Sequence, residues 1–343
     1  MKAFAIIAIC FHNFFHLRNS VGENEMEFDP ERIFNLFHFM TENPTLIIDA
    51  LFSYFGHYGV QLFIFISGYG LTKQFLLKGI PTYKSYITRR VVKLYSLLIF
   101  GIIACLFLYT DNLYVYFKYI VFLNLTMLKT VSFKYIFFGI GPWWYFCLAL
   151  QLYILFPFLY KIIAKNEKKG LYISLIISYA CIYFCLPVAE KFNFPVFGNC
   201  IGHLPEFLFG IAVAAIKDFK IRTVTVALSV MVFIASNFSV YIFPFSFLTV
   251  TILLVFLIYK LIKYFPQKMT AALVFLGKIS MFVFVINGPL RQISYNLFLS
   301  ELSMNTQLAS VFHFCFVLVV AYIMYFIYNK ITAIVREKTK IPV

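Results

Sequence analysis

Long apolar runs alternate with short polar connectors along the chain, and the runs recur into its last residues. Residues 59–72, GVQLFIFISGYGLT, carry no charge and lead into a basic turn holding Lys73, Lys78, Lys84, Arg89, Arg90 and Lys93. About 20 predominantly apolar residues, rising about 1.5 Å each as a helix, match the hydrocarbon thickness of a bilayer. Helical spans are predicted on this pattern near 3–19, 57–77, 91–109, 136–160, 171–187, 199–216, 222–239, 244–262, 271–298 and 306–329. Residues 46–56 predict a surface helix. Residues 114–130, with Lys118, Asn124, Thr126 and Lys129, are too short and too polar for a span. Cytoplasmic connectors carry the Lys and Arg excess, so the basic loops 73–93 and 161–169 belong on one side. An even number of crossings then separates them, 114–130 becomes interfacial or re-entrant, and both termini are predicted to be cytoplasmic.

Composition strengthens the pattern. Of 343 residues 62% are hydrophobic, 21% aromatic and only 13% charged, more apolar side chain than one soluble core can bury. The expected fold is all-α, a polytopic transmembrane bundle of about ten spans without a soluble domain, with 1–343 as a single integral-membrane domain. The net charge of +15 sits between spans, where it orients the chain against anionic lipid and the membrane potential. That placement argues for membrane lipid, not nucleic acid, as the partner. Seven Cys are scattered through apolar runs without the loop spacing of a disulfide framework or zinc site, and no metal site is expected.

The first run follows Lys2 and ends in His12, Asn13 and His16. A cleavable leader ending near Ser20 and Gly22 is the alternative, but two His and an Asn followed by Leu17 and Arg18 favour a retained span. A dense acidic block, Glu23, Glu25, Glu27, Asp29 and Glu31, comes next. An ionisable group within a span is costly and therefore a functional candidate. His12, about ten residues into its helix, falls near mid-membrane and suits a general base, with His16 sharing its face. Arg89, Arg90 and Lys93 stand at a helix start, where backbone N–H groups and guanidinium forks favour phosphate oxygens. Trp143, Trp144, Tyr145, Gln151 and Tyr153 suit an acceptor path or an interfacial belt. His203 and Glu206 suit acceptor recognition or mutual pairing. Arg291 has no evident partner, and His38, His57 and His313 read as structural.

These segments resemble acyltransferase family 3, membrane proteins that acylate sugars and other exported molecules. The resemblance is carried by His12 after an upstream basic residue, by GVQLFIFISGYGLT and by RRVVKLY (89–95). GPWWYFCLALQLYILFP (141–157), HLPEFLFGIAVA (203–214) and LGKIS (276–280) continue it in order. It implies a ten-helix enzyme with acyl-CoA, acetyl-CoA above all, as cytoplasmic co-substrate. The implied acceptor is a hydroxyl of a cell-envelope glycan or lipid-linked saccharide, and the implied location a bacterial cytoplasmic membrane. By the same resemblance His12 matches the essential histidine, and Arg89, Arg90 and Lys93 the CoA-side basic motif, with Lys93 where Arg is more usual. Ser67 and Gly68 match the packed Ser-Gly, and Glu206 the acid of the Pro-Glu-Phe element. Two positions depart from the family. Lys2 stands ten residues before His12 instead of eleven, which turns it roughly 80° away around the helix, and Asn287 occupies a neighbourhood that often holds His. Acyl transfer further requires His12 to face open space that reaches the Arg89–Arg90 turn. The rivals are a transporter or flippase of a lipid-linked saccharide or small metabolite, for which His12 is a proton relay, and a non-catalytic scaffold.

Overall fold

The computed structural model describes residues 1–18, 21–106 and 113–339, and every regular element among them is helical. In chain order these are α1 (Lys2–Arg18), α2 (Glu31–Glu42), α3 (Ile47–Phe55), α4 (Gly59–Lys78), α5 (Tyr83–Leu106), α6 (Leu113–Val115), α7 (Leu123–Leu125) and α8 (Phe133–Ile136). They continue with α9 (Trp144–Phe192), α10 (Cys200–Ala215), α11 (Thr223–Ser236), α12 (Ser246–Leu261), α13 (Gln267–Tyr295) and α14 (Thr306–Thr339).

The 49-residue α9 is two rods, because Glu167 leaves helical geometry at φ 47° and ψ −126°. Gly170 comes back over the preceding limb so closely that a Cβ on it would lie 2.6 Å from the Ile162 carbonyl oxygen. The limbs correspond to the predicted spans 136–160 and 171–187, but the first starts at Trp144. Pro142 heads the 3-10 turn Gly141–Trp143, which suits a ring that lacks an N–H and sets φ for a helix start. With the limbs counted separately, α1, α4, α5 and α10 to α14 complete ten rods among the described residues. Five helical stretches, Pro44–Lys78, Gly141–Phe192, Phe243–Tyr264, Gln267–Glu301 and Thr306–Ile334, are long and apolar enough to cross a bilayer. Large apolar side chains also point outward, Phe184 at 77% and Ile176 at 69% exposure, surface that lipid accommodates and water does not. The chain is an integral membrane protein.

Two close approaches fix the centre. On α4 a Cβ at Gly68 would collide with the Phe207 carbonyl oxygen, and on α10 a Cβ at Gly210 would collide with that of Phe65, so these helices meet through small residues, backbone against backbone. Between α3 and α4, Gly56 presses on α1, and its Cβ would stand 2.6 Å from the His12 Cβ. The helix α1, with Ala5, Ile6 and Cys10 fully buried, is wedged between that corner and α13.

Two connectors are more ordered than expected. The acidic block runs into α2, whose Ile33 and Leu36 pack on Val21, Ala50 and Tyr54. The α3 helix exposes Ile48 and Leu51 but buries Asp49, Ala50, Ser53 and Tyr54, so the predicted surface helix is half embedded. Residues 113–125 form α6, a π-helical turn and α7, roughly 20 Å long and too short to cross the hydrocarbon.

Candidate active site

His12 lies on the buried face of α1, 7% exposed. Its Nδ1 faces the carbonyl oxygens of Ser53 at 3.0 Å and Phe52 at 3.3 Å. A carbonyl only accepts, so Nδ1 carries the hydrogen and Nε2 keeps its lone pair. The ring borders a chamber of about 370 Å³ whose polar lining is Asn13, His16, Glu23, Glu25, His57 and Arg291, with Trp144 and Phe284 among its apolar walls. His57 donates from Nδ1 to the Tyr54 carbonyl at 2.8 Å, and its buried Nε2 has no hydrogen-bond partner. The His12 ring stands 5.4 Å from His16 and 5.9 Å from His57, centroid to centroid. Glu23 approaches His16 Nδ1 at 3.0 Å. Burial opposes the Glu23 charge, but the His16 contact and the surrounding imidazoles outweigh it and hold the carboxyl below the usual carboxylate range. Burial and then the Glu23 charge push Glu25 well above that range, so two carboxyls of one short segment are shifted in opposite directions. Donor atoms of His12, His16 and Glu23 fall within 4.8 Å of one another, a geometry that could hold a metal ion and that scattered sequence positions did not foreshadow.

The basic residues build a second region, but α5 already begins at Tyr83, so Arg89, Arg90 and Lys93 lie inside the helix and not at the expected start, and free backbone N–H groups do not add to their charge. Arg90 bonds the Gln74 amide oxygen and lies over the Tyr86 ring at 5.6 Å. Gln74, Arg90 and Lys93 line both an outer cavity of about 490 Å³, with Arg89 and Lys78, and an inner one of about 180 Å³, with Lys2, Ser67, Tyr145 and Tyr153. This vestibule collects cations at its mouth and has Phe63, Tyr145 and Tyr153 in its inner lining. Among the described residues, the open connection expected between His12 and Arg89–Arg90 is not present in this conformation. Phe63 and Tyr145 at the vestibule's end touch ring to ring at 6.4 Å, and Tyr145 touches Phe284 of the chamber at 5.5 Å. These three aromatic rings form a partition, and the two cavities share no lining residue.

A family model for the acyltransferase domain of acyltransferase family 3 matches residues 1–326, nearly the whole chain. The chain belongs to acyltransferase family 3. No curated protein and no solved structure matches it. It is therefore a membrane acyltransferase.

The remaining sequence-predicted positions of this acyltransferase divide between cavity and core. Ser67 and Tyr145 face the inner vestibule. Trp143, Gln151 and Glu206, expected along an acceptor path, lie outside both cavities. Trp143 is fully buried and donates to the Val285 carbonyl at 3.1 Å. Gln151 bonds Asn199 at 2.7 Å and the Cys200 amide at 2.8 Å, tying α9 to the start of α10. Glu206, fully buried, bonds His203 Nδ1 at 2.7 Å, while His203 Nε2 donates to the Phe197 carbonyl at 2.6 Å. A carbonyl and a carboxyl on its two nitrogens leave His203 no free lone pair for an acceptor. Trp144, one residue on, is the tryptophan that reaches the chamber.

Lys2 belongs to the vestibule with Arg90 and Lys93, and His12 lies roughly 15 Å further along α1. Arg291 acquires a partner, donating to the Asn13 carbonyl at 3.3 Å. His313 bonds Asn287 and Ser294, each at 2.9 Å, so a histidine reaches the Asn287 neighbourhood from α14. His57 and Glu23 were missed as chamber residues. The short spacing from His12 to Glu23 was the available signal for Glu23. For His57 nothing local distinguished a chamber residue from a packed one. Lys129, fully buried, bonds the Phe138 carbonyl, next to Phe137 and Gly139 of the chamber wall, and burial lowers its amine to about 8.

Proposed function

We propose that the chain transfers an acyl group, acetyl in the first instance, from cytoplasmic acyl-CoA to a hydroxyl of a cell-envelope glycan or lipid-linked saccharide, with both termini cytoplasmic. The observation that carries this reading is the fixed tautomer of His12. Its Nδ1 is engaged by the Ser53 and Phe52 carbonyls, which leaves Nε2 to accept a proton in a polar chamber. Arg89, Arg90, Lys93 and Lys2 would hold the CoA phosphates, and the pantetheine arm would pass where Phe63, Tyr145 and Phe284 now meet. His12 Nε2 takes the proton of the acceptor hydroxyl, the oxygen bonds to the acyl carbon, the carbon–sulfur bond breaks, and the thiolate recovers the proton. Oxyanion stabilisation needs a donor aimed at the carbonyl oxygen. The buried Asn13 amide nitrogen, without a partner beside His12, suits this role better than Ser67, whose hydroxyl donates to the Phe63 carbonyl at 2.8 Å in the other cavity.

Mass spectrometry of envelope glycans from cells carrying the gene, lacking it, or carrying His12→Ala tests the proposal. One acetyl increment per modified residue is expected with the wild-type gene alone. Identical glycans in all three strains would overturn it.

A further inference from the structure

Glu23 enters the chamber on the non-helical segment 21–30 that precedes α2, and the transfer step above leaves it unused. Its position is held from several sides. The Arg32 guanidinium donates to the Glu23 carbonyl at 2.6 Å and the Glu27 carbonyl at 3.0 Å, while the Ser53 hydroxyl donates to the Val21 carbonyl at 3.2 Å. The carboxylate is 11% exposed and lies 3.0 Å from His16 Nδ1, and the His16 ring is 5.4 Å from that of His12.

Among the described residues, the ionisable groups that line the chamber are His12 and His16 from α1, His57 before α4, Arg291 from α13, and Glu23 and Glu25 from the segment itself. A proton delivered to His12 creates a cation among two imidazoles and a guanidinium. Opposite charge close by favours such a cation, and like charge opposes it. The carboxylate beside His16 is the anion in position to offset it, because its oxygen lies within 4.8 Å of the His12 ring nitrogen.

We propose that Glu23 is a positioning residue for the acyl transfer argued above: held against His16, its carboxylate stabilises the imidazolium formed when His12 accepts the acceptor's hydroxyl proton. Glu23 touches neither thioester nor acceptor and stays ionised throughout. The proton goes from hydroxyl to His12 Nε2 and then to the departing sulfur, and no electron changes hands. The inference rests on His12 as the base, and the controls separate the two.

The test compares wild type, Glu23→Gln, Glu23→Asp and His12→Ala in lipid nanodiscs, with acetyl-CoA and envelope acceptor across the pH range. Glu23→Gln is expected to lower kcat about tenfold while KM for acetyl-CoA holds. It should also move the acid limb of the profile about one pH unit downward, because the His12 imidazolium loses the anion beside it. Glu23→Asp is expected to recover most of the rate and the wild-type limb. A wild-type profile in Glu23→Gln, or equal losses in Gln and Asp variants with an unmoved limb, would overturn the role. Activity abolished by chelation and restored by Zn²⁺ would also overturn it, making the His12, His16 and Glu23 cluster a metal site. Full activity in His12→Ala would instead remove the acyl-transfer reading beneath it.

Discussion

The vestibule and the chamber, separated by three aromatic rings, are built by opposite rules. In the vestibule the outer charges are loosely held: Lys93 and Arg89 reach water, and Arg89 bonds the Ser85 carbonyl of its own helix at 3.1 Å, while Arg90 further in is fixed on Gln74 and Tyr86. In the chamber His12 and His57 each have one nitrogen committed to a backbone carbonyl. Charge attracts a polyphosphate over several ångströms and tolerates mobile side chains. A base that takes a proton must have the correct nitrogen bare and aimed. On the roles proposed above, the difference implies that affinity for the donor and chemistry on the acceptor can be damaged separately.

The largest effect that sharpens this comparison is expected from Gly56→Ala. The new Cβ would meet the His12 Cβ at 2.6 Å and the Ala8 carbonyl oxygen at 2.9 Å, and a base displaced by about 1 Å costs on the order of a hundredfold in kcat. Steady-state kinetics should show that loss with KM for acetyl-CoA nearly unchanged. Arg90→Ala should do the converse, raising KM for acetyl-CoA by about 10-fold to 100-fold through lost charge-assisted bonds. Equal effects of both variants on kcat and KM would break the division of labour.

Phe284→Ala addresses the partition. It should increase acetyl-CoA hydrolysis in the absence of acceptor severalfold, measured as free thiol release, and cost about 3 kcal/mol in stability. Unchanged hydrolysis would mean that the donor arm takes another route. The smallest effect concerns Glu25, whose folded-state carboxyl lies above its usual value of 4.5. Its stabilising contribution is therefore present below about pH 4.5 and lost as pH rises. Glu25→Gln should raise Tm by about 2–4 °C near pH 8 and leave it unchanged near pH 4, by thermal denaturation in detergent.

Much of this was legible in the sequence, for identifiable reasons. Apolar runs announce membrane helices because lipid leaves the backbone few alternatives, and the runs around 59–72 and 244–262 correspond to α4 and α12. His12 stood out because an imidazole within an apolar run needs a reason. Partners remote in sequence were not legible: no local pattern aims the Ser53 carbonyl at His12, brings His313 to Asn287, or sets Phe284 against Tyr145. Aromatic positions misled for a related reason. Trp143 and Trp144 are adjacent and chemically identical, yet about 100° of helix rotation sends one to the Val285 carbonyl and the other to the chamber. Glu206 and Gln151 look like binding groups until their buried partners are known.

The central claim is that a fixed imidazole performs transfer while a distant basic cluster holds the donor. Its most direct test is acyl transfer from labelled acetyl-CoA to envelope acceptor by purified protein in lipid, with donor affinity measured on the same samples. His12→Ala should lose at least about a thousandfold in transfer yet bind acetyl-CoA as tightly as wild type. Transfer surviving in His12→Ala, or donor binding lost with it, would contradict the account.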